Sequence, residues 1–226
     1  MFYNLKKSIN TQLFNIFANK VIKLPAVPCS DIGQVTIVSQ LCSRDLIMYL
    51  VAIKTFTHYV LPKEVIIVAD KLSDKDIATL NQQIKCLTII NLDSVKDDRF
   101  PNNGCWERLL TILDICNKNY VIQLDADTIT LKSPTEVLQC IEEDRCFTLG
   151  TDTGQRIVSF SDASEFIKER EWSDSHIQAA AELCMAKVDT EGTLKYVRGC
   201  AGFAGFTKEA LEVNKLAEIC GKIEKN

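Results

Sequence analysis

The stretch Tyr120-Val121-Ile122-Gln123-Leu124-Asp125-Ala126-Asp127-Thr128 decides how this chain is read. Its first half is rich in β-branched and apolar residues and reads as a buried strand. Two carboxylates follow at once, one residue apart. On an extended backbone Asp125 and Asp127 share one side of the chain. Their like charges repel, and a hard divalent cation relieves that repulsion by taking carboxylate oxygens as ligands. Mn2+ or Mg2+ held there also binds diphosphate oxygens and stabilises a nucleoside diphosphate as leaving group. The plain alternative is a solvated acidic turn, and the apolar strand in front is what sets the pattern apart from one.

Working outward, apolar strand-like runs alternate with amphipathic helical stretches from Gly33 onward. Val35 to Leu41 predicts a strand, Asp45 to His58 a helix, Val65 to Ala69 a second strand, and Leu87 to Asn91 a third. Ser73 with Asp76 forms a capping box that opens a helix running to Ile84. Cys105 to Asn117 predicts the helix ahead of the fourth strand. Ser133-Pro134-Thr135-Glu136 predicts another helix start, with Pro in the first turn and Glu at the third position. Short β-branched runs separated by helices imply an α/β sandwich around a mostly parallel sheet. Ligands of such sheets bind beyond the carboxyl ends of the strands.

Asp70 stands past the second strand, Asp125 and Asp127 past the fourth, and Asp152 past a strand near Cys146 to Leu149. No G-x-G-x-x-G and no G-x-x-x-x-G-K-[ST] occurs, which removes the dinucleotide and P-loop readings. A formal charge of −4 offers no basic stripe for nucleic acid.

The 226 residues, 46% hydrophobic and 25% charged, suffice for one large cored domain with an added arm. The boundaries read as 1–33 for an N-terminal amphipathic helical arm and 34–226 for the α/β domain. None of the ten cysteines forms a C-x-x-C pair or a zinc-ligand grouping, and several lie in apolar runs. They read as free thiols of a reducing compartment, which places the protein in the cytosol. No run of 18 apolar residues is present, and the N-terminus lacks the apolar core and cleavage site of a signal peptide. Leu5, Ile9, Leu13, Ile16 and Phe17 recur at helical spacing near Lys6, Lys7, Lys20 and Lys23. That pattern fits a helix packed on its own domain or a second subunit. It also fits one lying on the inner face of a membrane, a peripheral contact through residues 2–23.

Trp106-Glu107-Arg108-Leu109-Leu110, followed by YVIQLDADTITLKSP, resembles the GT-A glycosyltransferases. The resemblance is to the group that includes glycogenin and the bacterial lipopolysaccharide galactosyl- and glucosyltransferases. In that group a helix bearing Lys or Arg precedes a strand ending in D-x-D. The resemblance therefore implies a GT-A (nucleotide-diphospho-sugar transferase) fold, a Rossmann-like sheet flanked by helices. It implies that Arg108 contacts the donor, where a guanidinium fork suits phosphate or sugar hydroxyls. Its alternative is a surface residue paired with Glu107 or Asp114. Asp152, at the family's distance beyond D-x-D, is implied to touch the donor sugar, the alternative being an Asp capping a turn with Gly154. Arg198-Gly199-Cys200-Ala201-Gly202-Phe203 resembles the family's Ala-Gly strand motif, which puts Gly202 beside Arg108 among the donor-binding candidates, and Asp70 joins them from its place past the second strand. Trp106 reads as a core residue.

The chain departs from the family in three places. Cys200 stands where Asn is common, Ser39 and Gln40 stand where an acidic residue often follows the first strand, and no His follows the Ala-Gly motif. His58 and His176 both precede that motif and read as surface or core residues. The third metal ligand is then water, a non-His group, or part of a natural chain that continues further. The resemblance implies transfer of a hexose from a nucleotide-sugar, a uridine-linked one, to a hydroxyl of a glycan, lipid-linked glycan or protein. Two rivals stand beside it: a degenerate, non-catalytic nucleotide-sugar-binding protein, and a haloacid-dehalogenase-type phosphohydrolase with Asp125 as nucleophile.

Overall fold

The computed structural model describes residues 6, 10, 12–14, 16–101, 104–151, 156–170, 177–189, 191–208, 210 and 212–224. The strands are β1 Val35–Cys42, β2 Glu64–Asp70, β3 Leu87–Asn91, β4 Tyr120–Leu124, β5 Phe147–Gly150, β6 Val158–Ser159, β7 Lys195–Tyr196 and β8 Gly199–Phe206. The helices are α1 Leu46–Thr57, α2 Asp74–Gln83, α3 Trp106–Cys116, α4 Thr135–Glu142, α5 Phe160–Lys168, α6 Ile177–Val188 and α7 Val213–Glu224.

The main sheet runs β3-β2-β1-β4-β8-β5. β1 pairs in parallel with both β2 and β4, β2 pairs in parallel with β3, and β8 lies antiparallel to β4. The chain thus walks outward from β1 through β2 to β3, then returns to set β4 on the other side of β1. A crevice opens at such a switch point, beyond the carboxyl ends of β1 and β4.

Residues of β1 alternate between two apolar layers, as a strand buried on both faces requires. Val35, Ile37 and Leu41 join Tyr49, Leu50, Ile53 and Phe56 of α1, together with Ile67 and Ile122. Val38 joins Ile66, Val121, and Ile112 and Cys116 of α3 on the other face. The buried positions of α1 recur every three or four residues, the spacing that keeps a helical stripe on one side. α2 begins with the expected capping box: the Ser73 hydroxyl accepts from the Asp76 N–H, and the Asp76 carboxylate accepts from the Ser73 N–H.

Three sequence expectations need correction. Asp45 ends a 3-10 turn, Ser43–Asp45, ahead of α1 instead of opening the helix. Pro134 caps α4, so Glu136 falls one position earlier than predicted and Ser133 stays outside. Cys29 and Cys86 form a disulfide across 57 residues of sequence, so the ten cysteines are not all free thiols. The two cysteines meet only through the tertiary fold, so their spacing in the sequence carries no sign of the pairing. Val27 forms a parallel bridge with Ile84, its N–H donating to the Gln83 carbonyl at 2.8 Å, and this lays the arm beside the entrance to β3.

The chain divides into two compact units. One comprises residues 1–96, 102–147 and 202–210 and holds the layers above. The other comprises 97–101, 148–201 and 211–226. Its core gathers Phe160, Ala163, Met185 and Val188. Glu182 and Arg198 pair there at 3.2 Å, almost fully buried, and the Tyr196 hydroxyl donates to Glu182 Oε1 at 2.6 Å. Burial and that carboxylate push the Tyr196 phenol up to about 12.

Candidate functional site

β4 is buried along its whole length and ends at the switch point, so the first residue beyond it leaves the core at the crevice. That residue is Asp125. Its N–H donates to the Gly202 carbonyl at 2.9 Å, continuing the antiparallel ladder in which Leu124 faces Phe203. The D-x-D stretch and the Ala-Gly motif, far apart in sequence, are therefore one rung of one sheet. Gly202 acts through its carbonyl, which fixes where Asp125 leaves the strand. Gly205, three rungs deeper, has a different cause: a Cβ there would lie 2.2 Å from Phe147 and 2.5 Å from the Tyr120 hydroxyl, so only glycine fits.

Beyond Asp125 the backbone turns. Ala126 and Asp127 form a turn, and the Thr128 hydroxyl donates to the Asp125 carbonyl at 3.0 Å. The expected extended D-x-D with both carboxylates on one side is thus replaced by a turn closed by Thr128. The two side chains also differ in setting, Asp125 partly buried and Asp127 exposed.

Arg108 lies in the first turn of α3 and is buried, with its side chain 5% exposed. Its Nη1 donates to Asp125 Oδ1 in an ion pair. Arg108 is therefore not the surface residue of the alternative reading, since it is buried and reaches the strand end. Burial raises the Asp125 carboxyl above its ordinary value of 3.8. The Arg108 guanidinium opposes that shift, and the neighbouring Asp127 charge adds to it. A carboxylate pushed upward by burial and a like charge is one that a further cation would relieve.

The floor of the crevice is made by β1. The Ser39 hydroxyl donates to the Leu124 carbonyl at 2.7 Å, so this residue ties β1 to β4. Gln40 Nε2 donates to the Gly104 carbonyl at 3.0 Å and holds the loop that leads into α3. Gly104 has φ +80°, a left-handed conformation that suits glycine. Asp70 ends β2 opposite Cys42. From the register it stands two strands across and two rungs beyond Asp125, roughly 12 Å away by ordinary sheet spacings. It shares the crevice edge with Asp125 and Asp127 without touching them. Lys71 follows with φ +56°, and its carbonyl accepts from the Ser43 hydroxyl at 3.1 Å. A bulky residue held in that region is a local strain of the kind found at binding rims.

Asp152, the predicted sugar contact, lies outside the described residues, as do Gly154 and His176. His58 is exposed at the end of α1, edge-on to Tyr59, and Trp106 is half-buried. Gln40, Gly104 and Thr128 shape the site but were not singled out as contributors to it. Thr128 had a local signal, a hydroxyl three residues after an Asp at a strand end. Gln40 and Gly104 had none, because a contact across 64 residues leaves no local pattern.

Among the described residues no three His, Cys, Asp or Glu side chains converge as a metal-holding group. Asp125 and Asp127 supply hard oxygen donors, and Mg2+-like ions are commonly held by one or two carboxylates together with substrate phosphates. The donor set therefore fits such an ion completed by a diphosphate.

No family model matches the sequence, and no curated protein matches it. Among solved structures the chain is similar to WbbM, a bifunctional glycosyltransferase in its apo form. The TM-score is 0.50 at 16% identity, over 88% of this chain and 38% of that one. It is also similar to the galactosyltransferase LgtC in complex with donor and acceptor sugar analogues. There the TM-score is 0.50 at 13% identity, over 84% of this chain and 65% of that one. The chain thus spans well under half of the first structure and less than two thirds of the second. The fold is the GT-A fold, a mostly parallel six-stranded sheet flanked by helices, as the sequence resemblance implied.

Proposed function

We propose that the chain is a glycosyltransferase that takes a hexose from a nucleotide-diphosphate-sugar, a uridine-linked one, and places it on an acceptor hydroxyl. One observation carries the reading. Asp125 is pinned at the sheet's switch point through its N–H to Gly202 and is met there by the buried Arg108, with Asp127 in the turn beside it. Two carboxylates and a guanidinium at the carboxyl ends of the strands suit a diphosphate, whose charge needs both direct donors and a bridging cation.

In this reading Asp125 and Asp127 hold Mn2+ or Mg2+, which supplies charge neutralisation of the diphosphate leaving group. Arg108 sets the orientation of Asp125 before the donor arrives, and its positive charge at the strand end favours the diphosphate. Asp70 lies on the nucleoside side of the crevice. Asp152 orients the sugar, a role that rests on the sequence resemblance. The acceptor's hydroxyl oxygen bonds to the anomeric carbon as the bond from that carbon to the diphosphate breaks, and the hydroxyl proton leaves with the diphosphate or to solvent. The acceptor is a glycan, a lipid-linked glycan or a protein.

The test is release of nucleoside diphosphate from a panel of uridine- and guanosine-diphosphate sugars, with Mn2+, Mg2+ or chelator. Metal-dependent release of uridine diphosphate is expected, increasing when a competent acceptor is added. Binding of donor without release under any acceptor would favour the degenerate, binding-only alternative. Hydrolysis of simple phosphate esters without sugar transfer would contradict the proposal in favour of the phosphohydrolase.

A further inference from the structure

The N-terminal arm differs in charge from everything after it. Residues 1–30 carry Lys6, Lys7, Lys20 and Lys23 and no Asp or Glu. Taking those four lysines from the chain's 26 basic residues leaves 22 against 30 acidic ones, so a body of formal charge −8 bears an arm of +4.

Residues 12–14 and 16–18 are helical and run into a 3-10 turn at Asn19–Lys23. Leu13, Ile16 and Phe17, at i, i+3 and i+4, share one face and are 48%, 62% and 63% exposed, while Ala18 and Val21 turn inward and are buried. Lys20 Nζ lies 5.3 Å from the Phe17 ring centroid, and Lys6 is exposed. Ile22 and Leu24 extend the exposed apolar line. Leu24 also lines an open hollow of about 520 Å³ with Pro25, Val27, Pro28, Tyr59 and Leu61.

The body fixes this presentation. Lys54 Nζ shares its three protons among four acceptors, the carbonyls of Val21, Leu24 and Pro25 and Gln83 Oε1, Gln83 Nε2 donates to the Ile22 carbonyl, and Cys29 is bonded to Cys86. These attachments lie near the end of α1 and the entrance to β3, at the amino ends of the strands, the edge opposite Asp125. The exposed apolar face is thus held outward by a built anchor.

We propose that the arm docks this chain on an anionic lipid surface, with Leu13, Ile16 and Phe17 entering the headgroup boundary and the lysines facing lipid phosphates. An exposed apolar stripe with lysines beside it and no acidic residue is the pattern that interfacial helices share. Charge selects between occupants. Two arms packed face to face would set +4 against +4, whereas an anionic leaflet attracts each lysine.

The experiment is flotation of the full chain with phosphatidylcholine vesicles, with or without a quarter of phosphatidylglycerol, alongside light scattering in solution. The chain is expected to float with the anionic vesicles and stay behind with the neutral ones, and to be released by high salt. Lys20→Glu and Lys23→Glu should each weaken binding by about fivefold or more. Ile16→Asp with Phe17→Asp should weaken it by at least about tenfold with the far-ultraviolet spectrum unchanged. No flotation with either vesicle would overturn the proposal, as would equal binding to both or undiminished binding of the double variant. It would equally be overturned by a dimer in solution that Ile16→Asp with Phe17→Asp turns into a monomer.

Discussion

Two arginine–carboxylate pairs in this molecule look alike and differ in what surrounds them. Arg198 and Glu182 are 6% and 2% exposed, and the Tyr196 hydroxyl also donates to the carboxylate, so the pair is sealed inside its unit. Arg108 is just as buried at 5%, but its partner Asp125 is 33% exposed and has a second carboxylate, Asp127, beside it. The sealed pair keeps both charges away from solvent. The pair at the end of β4 has an unevenly compensated negative side facing a crevice, which is an arrangement for receiving a cation and an anionic ligand. Burial of an ion pair thus says little about function; the asymmetry between its partners says more.

The largest effect that could break this contrast is in the sealed pair. Glu182→Gln removes the buried carboxylate that Arg198 and the Tyr196 hydroxyl both meet and should lower stability in urea by roughly 3–5 kcal/mol. Replacing both members, Glu182→Leu with Arg198→Met, should recover much of that loss. If the single variant unfolds no more readily than the parent, the pair is not sealed as described.

A middle-sized effect concerns pH. Burial holds the folded Asp125 carboxyl above 3.8, so as pH falls the folded chain takes up this proton before the unfolded chain does. Ionisation of Asp125 therefore costs stability above the raised value, and protonation relieves that cost between it and 3.8. Binding of Mn2+ needs the ionised form, so affinity should fall through that same window, by about tenfold per pH unit below the raised value. Arg108→Met removes the opposing guanidinium and should move the loss to higher pH. A Mn2+ titration across pH would show it, and an unmoved midpoint would mean that Arg108 does not govern Asp125.

The smallest effect is the counterpart of the first. Asp125→Asn imitates the protonated form that burial already favours, and the 33% exposure of this side chain lets solvent reach the pair. Its stability cost should stay under about 1 kcal/mol, within the range of ordinary partly exposed substitutions. A loss as large as that of Glu182→Gln would erase the distinction between the two pairs.

Much of the sheet was legible because local pattern dictates it. β3 and β4 have the predicted limits, and Ser73 with Asp76 forms the predicted box. Asp125 was legible for the same reason, since a buried strand delivers its next residue to the crevice. What was not legible depends on chain segments meeting at long range. The Asp125–Gly202 rung, the Gln40–Gly104 tie and the Cys29–Cys86 bond each join segments far apart in sequence, and no periodicity encodes such a meeting. The turn at Ala126–Asp127 escaped for another reason. An extended continuation and a Thr128-closed turn use the same four residues, and only the packed strand end selects between them.

The most direct test of the central claim is calorimetric titration of uridine-diphosphate sugars into the full chain with Mn2+, compared with Asp125→Ala and Asp127→Ala. Chelator should abolish binding, and each variant should weaken it by roughly a hundredfold or more, as expected when several kcal/mol of metal-mediated contact is lost. Binding that persists undiminished in both variants, or that ignores the metal, would contradict the claim.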